Sequence, residues 1–190
     1  MTKELNTETS VKPISKVRRI IRISVAVAAS VLLIFLGIQG YNFYRLTPER
    51  LFAENYTPYE LTTTLESNDT SESGIEKAYR VKNYNEVINL NKNSALSVKD
   101  IFLTALSFME TKDFARAISN FQIVLADIKS DKNSLLKDAA EYYLALGYLG
   151  NRDYDQAIEL MNRIHDNSSH LYTSKFTWNY INKVKRLKWR

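Results

Sequence analysis

The sequence predicts an all-α protein, in which antiparallel helical hairpins stack into an array behind a single transmembrane helix. Three observations predict it. Ile23–Tyr44, ISVAVAASVLLIFLGIQGYNFY, carries no charged residue. From Ile75 onward, apolar residues recur at steps of three and four, the mark of one buried face on each helix. One phrase then returns after successive polar breaks, as Asn83–Ile88, Asp113–Ile118 and Asp153–Ile158. Each copy reads polar, aromatic, two variable residues, small or β-branched, isoleucine, and recurrence of this kind marks a stacked helical array.

The chain has 190 residues and no cysteine, which rules out disulfides, thiolate metal sites and a cysteine nucleophile. Its net charge of +5 is unevenly placed. Lys3, Lys12, Lys16, Arg18, Arg19 and Arg22 crowd the first segment. Lys175, Lys183, Lys185, Arg186, Lys188 and Arg190 crowd the last, leaving the stretch between them mildly acidic. The basic surface is too sparse for a nucleic-acid partner.

Residues 1–22 read as a basic cytoplasmic tail. At ~1.5 Å per residue, residues 23–44 reach roughly 33 Å, enough to cross a hydrocarbon core. Tyr41, Phe43 and Tyr44 stand at its far end, where interfacial aromatics belong. The Lys/Arg cluster before it, against Arg45 and Arg50 just after, puts the N-terminus in the cytoplasm. The run is long and lacks a small-x-small cleavage site, so it reads as an uncleaved anchor. The domain beyond it is expected on the extracytoplasmic side of the inner (cytoplasmic) membrane, which is the periplasm if the cell is Gram-negative.

Residues 45–74 read as a short helix plus a polar linker. Thr47 is an N-cap, Pro48 the first helical residue and Glu49 a first-turn acid, and the helix should end near Asn55, ahead of Pro58. The Thr/Ser/Asn/Asp-rich residues 57–74 lack helical period and read as a spacer lifting the domain off the membrane. Hairpins are expected over 75–96, 97–131 and 134–167. Ser97 with Asp100 forms a candidate capping box. Leu135–Ile164 is the clearest hairpin, with Ala145 and Ala157 where two backbones must approach. Tyr172, Phe176, Tyr180, Ile181, Val184 and Leu187 mark a last helix within 168–190, capping the array and ending in a basic stretch with Trp189.

The three phrases lie 30 and 40 residues apart, and here the chain resembles the tetratricopeptide repeat family. Leu144, Ala145, Tyr148, Tyr154, Ala157 and Ile164 match its preferred positions in the third hairpin. Ala105, Phe108, Phe114, Ala117, Phe121 and Val124 match in the second, and Tyr79, Tyr84 and Val87 in the first. Glu141 and Ile101 stand where Trp is common, and the closing proline of the repeat is missing. The layout resembles membrane-tethered repeat proteins of Gram-negative bacteria and, in plan, accessory subunits of the secretion translocon. The resemblance implies a right-handed α-solenoid whose first helices line a concave groove for a protein partner. Carried over residue by residue, that groove is Lys99, Phe102, Leu106, Met109, Tyr142, Leu146 and Leu149. It is apolar and lacks the Lys/Arg/Asn set that clamps a terminal carboxylate, so it takes a hydrophobic peptide or helix, or is filled by residues 47–62 of the chain itself.

No pattern of catalytic residues emerges, and no cofactor is implied. There is no glycine-rich phosphate loop or nucleophile elbow, and His165 and His170 flank a break with Asp166 alone nearby. Asp153 and Asp155 suit a turn and a helix start. The expected function is therefore that of a membrane-tethered protein-interaction module, a scaffold or accessory factor in envelope assembly, secretion or regulation. The alternative is a structural, self-associating membrane protein with a self-occupied groove, and a homo-oligomer stays open under either reading.

Overall fold

The computed structural model describes residues 14–61, 72–91, 96–128 and 134–189. The start of the expected tail, the centre of the expected spacer (62–71) and parts of the two expected breaks (92–95 and 129–133) lie outside the described residues. Among the described residues all regular structure is helical, and the chain divides into two compact units, 1–45 and 46–190.

In the first unit, α1 runs from Ile14 to Tyr44. Within it Ile20–Tyr41 is long and apolar enough to cross a membrane, and its side chains are exposed. Ser24 and Ser30 return their hydroxyls to the carbonyls of Ile20 and Ala26, so neither polar group needs an outside partner.

The second unit opens with α2 (Pro48–Asn55), where Thr47 Oγ1 accepts the Arg50 N–H at 3.2 Å. Three hairpins follow: α3 (Gly74–Arg80) with α4 (Tyr84–Leu90), α5 (Val98–Glu110) with α6 (Phe114–Asp127), and α7 (Ser134–Gly150) with α8 (Tyr154–Asp166). Each helix packs on the next along the chain, while α3 also meets α5, and α5 meets α7. The first helices of the hairpins therefore line one face. The expected capping box forms at α5, with Ser97 Oγ accepting the Asp100 N–H and Asp100 Oδ2 accepting the Ser97 N–H.

The last helix starts later than its apolar spacing suggested. Thr177 accepts the Tyr180 N–H and caps α9 (Trp178–Lys188), and residues 173–175 form a separate 3-10 turn. A second difference concerns the spacer. Residues 56–61 do not project from the domain. Tyr56, Tyr59 and Leu61 pack against the core. Lack of helical period marked this segment as irregular, but its aromatic and apolar side chains still needed cover.

One turn is used three times. Lys82, Lys112 and Arg152 take φ values of 58°, 60° and 67°. Their N–H groups bond the carbonyls of Tyr79, Met109 and Leu149, and the next residues, Asn83, Asp113 and Asp153, bond those of Ala78, Phe108 and Tyr148. These paired bonds satisfy carbonyls left over at a helix end and close it with a left-handed residue. Asn83 and Asp113 then cap the following helix through the N–H groups of Glu86 and Arg116. Phe114, which follows the second of these turns, packs at the end of α7. At Gly150 an added Cβ would stand 2.6 Å from the Phe114 ring, so that contact requires glycine. Ala105, Ala117, Ala145 and Ala157 are fully buried where paired helices approach.

A long cationic side chain at a left-handed position carries a conformational cost that glycine does not. Lys112→Gly should raise the stability of the folded domain by ~0.5–1 kcal/mol, seen as a higher urea midpoint at unchanged slope. Lys112→Val should lower it.

Candidate functional site

The face lined by α3, α5 and α7 is occupied. Residues 46–61, hereafter the strap, run across it as α2 followed by extended chain. Leu51 is buried, and Phe52, Tyr56, Tyr59 and Leu61 are partly buried against the core. The Tyr59 ring meets Phe102 edge-on at 5.1 Å, and Phe52 meets Phe114 at 5.3 Å.

The end of α2 and the irregular residues 56–61, laid on an apolar face, leave backbone carbonyls short of donors, and each orphan is costly. Tyrosines supply them. Tyr180 of α9 donates its hydroxyl to the Leu51 carbonyl at 2.7 Å, and Tyr142 of α7 donates to that of Asn55. Tyr143 donates to the Thr57 carbonyl at 2.8 Å, and Tyr79 of α3 to that of Tyr59 at 3.1 Å. Four hydroxyls from three helices thus hold the main chain of one segment. Tyrosine suits the task because its ring joins the core while its hydroxyl reaches a partner. In the reverse direction, Tyr56 of the strap donates to Glu110 Oε1 at 2.7 Å, and Asn55 Nδ2 donates to the Lys175 carbonyl at 2.9 Å.

Of the expected groove residues, Phe102, Leu106, Met109, Tyr142, Leu146 and Leu149 are at most 1 % exposed. Lys99 is exposed and pairs with Glu76 at 2.9 Å. Tyr79, Tyr143 and Tyr180, which hold the strap, were not among the groove residues expected from the sequence. Their signal was chemical, since a hydroxyl on an otherwise apolar helix face implies a polar partner facing it.

Among the described residues, part of the face beyond the strap is uncovered. An apolar cavity of about 670 Å³ lies where it ends, walled by Tyr59, Leu61, Val98, Phe102, Leu136 and Tyr172. Leu135 and Leu171 stand at its wall 69 % and 57 % exposed.

One cluster outside the groove could in principle hold a cation. Ligand atoms of Asp138, Glu141 and His170 lie within 4.8 Å of one another. His170 Nε2 is 3.3 Å from Glu141 Oε2 and 3.7 Å from Asp138 Oδ1, and its side chain is 1 % exposed. Its Nδ1 accepts the Tyr172 N–H at 3.1 Å, so the neutral ring carries its proton on Nε2, facing the carboxylates. A metal bound there would need that lone pair free, and the ring is turned the wrong way to offer it. Asp138 also accepts the Leu171 N–H at 2.8 Å, and the cluster reads as a clamp joining the 167–172 loop to α7. His165 lies apart, edge-on to Trp178 at 5.0 Å.

Comparison with protein-family models, curated proteins and solved structures gave no match.

Each hydroxyl bond should contribute about 1 kcal/mol, and removing one donor leaves a carbonyl on the apolar face unpaired. Tyr143→Phe should therefore lower stability by about 1–2 kcal/mol, and hydrogen exchange should show faster opening of the strap. The strap tyrosines also predict an alkaline limit. Burial is the first cause holding the hydroxyls of Tyr79, Tyr142, Tyr143 and Tyr180 above their usual pKa of 10.0. The folded state thus binds these protons more tightly than the unfolded chain. Their contribution is fully present below pH ~10 and is lost as pH rises beyond it. Tyrosinate absorbance at 295 nm and loss of helical circular dichroism should rise together above that pH.

Proposed function

We propose that this chain is a membrane-tethered protein-interaction module of tetratricopeptide type. In this reading α1 is an uncleaved anchor with its N-terminus in the cytoplasm. The helical domain stands outside the inner membrane as a scaffold or accessory factor in envelope assembly, secretion or regulation. Its role is binding and not catalysis.

The observation that carries the reading is the set of four tyrosine hydroxyls aligned on carbonyls of the strap. A face that grips main chain can hold a polypeptide of many sequences, and here it holds a segment of its own chain. Three hairpins, each closed by the same turn, support the repeat assignment. The partner engages the portion of the face that the strap leaves open, the apolar cavity beyond Leu61.

A second reading has its own support. With the expected groove residues buried, the strap is a permanent part of the core, and the domain is a structural, self-associating element.

Photo-crosslinkers placed singly at Leu136 and Leu171 in the full-length protein separate the two in native membranes, with one at exposed Ile123 as control. An adduct with another protein from the first two sites alone, lost on Leu135→Asp at unchanged melting temperature, is the expected result. Adducts only between copies of this chain would favour the structural reading.

A further inference from the structure

The helix closing the array has two different faces. Tyr180, Ile181, Val184 and Leu187 of α9 are buried. On the opposite side Trp178, Asn182 and Lys185, with Trp189 at the C-cap, follow steps of four, three and four, a single stripe along the helix and its end. Trp178 is 54 % exposed and Trp189 84 %, and they are the only 2 tryptophans of the chain. Lys185 Nζ lies 5.6 Å from the centre of the Trp178 ring. The helix carries no acid. Lys183 and Lys188 are bound by Glu54 and Asp155, whereas Lys185 and Arg186 have no ion pair among the described residues.

The position of this helix matters as much as its composition. Lys188, at its end, meets Asp155 at 2.5 Å, and Glu49, at the start of α2, meets Arg152 at 3.2 Å. Both contacts fall at the α7–α8 turn. The basic end of α9 is therefore at the same edge of the domain as the first residues of the strap, where the chain arrives from α1. Arg45–Thr47 are the residues between the helices, with a reach of roughly 10 Å. If α1 spans a bilayer, this edge is tied close to its surface.

We propose that α9 docks on the bilayer that carries α1, with its Trp178–Lys185–Trp189 stripe among anionic phospholipid headgroups. The inference rests on the reading of α1 as an anchor. Tryptophan rings belong at the headgroup level, and the free cations beside them select for anionic lipid. The domain is then held at two points, by a span and by an interfacial helix.

The two tryptophans report on this directly. Full-length protein is reconstituted into vesicles of phosphatidylcholine alone or with phosphatidylglycerol, with bromine near the headgroup end of the acyl chains. Trp178→Phe leaves Trp189 as the single emitter. Its fluorescence is expected to be quenched in the anionic vesicles, and the quenching to be lost on raising salt or with Lys185→Glu/Arg186→Glu at unchanged circular dichroism. Protein that resists alkaline extraction but shows no quenching would overturn the docking and leave the anchor intact. Quenching that is equal in zwitterionic vesicles and indifferent to charge reversal would overturn headgroup recognition. Release by alkaline extraction would remove the anchor reading and the inference with it.

Discussion

An irregular segment can cover an apolar face if its carbonyls find donors there, and the second unit is arranged around that requirement. Four tyrosine hydroxyls, from α3, α7 and α9, meet the carbonyls of residues 51, 55, 57 and 59. Without those of Tyr142, Tyr143 and Tyr79, the end of α2 and the irregular residues after it would leave unpaired carbonyls on a dry surface, and without the strap the rings of Phe102, Tyr142 and Tyr143 would lose their cover. Each side makes the other tolerable. The pairing also draws the last helix into the first part of the domain, since Tyr180 donates to Leu51 across most of the sequence.

The hairpins are held to one geometry by a turn that relies on hydrogen bonding more than on residue choice. Glycine would be the easiest residue at the left-handed position, yet Lys82, Lys112 and Arg152 occupy it. Two backbone bonds per turn offset the strain. Repeating the turn repeats the helix offset, so the aromatic of one hairpin packs against the next, as Phe114 does on Gly150.

Much of this was legible in the residues. Apolar steps of three and four located the helices, and Thr47-Pro48-Glu49 located the start of α2, because those signals are local. The strap was legible only as one of two fillings of the groove. Its residues 56–61 have no period to read, and whether an aromatic irregular segment projects or folds back depends on distant donors such as Tyr79 and Tyr143. Those two were missed because a tyrosine in a helical stripe looks like any other core residue until its hydroxyl is given a destination. The His170 clamp was hidden for a similar reason: Asp138 and Glu141 come from α7, and only the fold of the 167–172 loop brings the ring to them.

The occupied face limits how a partner can bind. Displacing the strap would break four hydroxyl bonds at about 1 kcal/mol each and expose Leu51 for about 2 kcal/mol more. A competitor would have to recover roughly 6 kcal/mol before gaining any affinity, which corresponds to a loss of about four powers of ten in binding constant. A partner that uses the open cavity beyond Leu61 meets no such cost and can extend the same apolar surface. A ligand that did pull the strap away would leave it joined to the array through the chain alone, with the apolar face bare. Binding at the open end would leave the strap packed on the array.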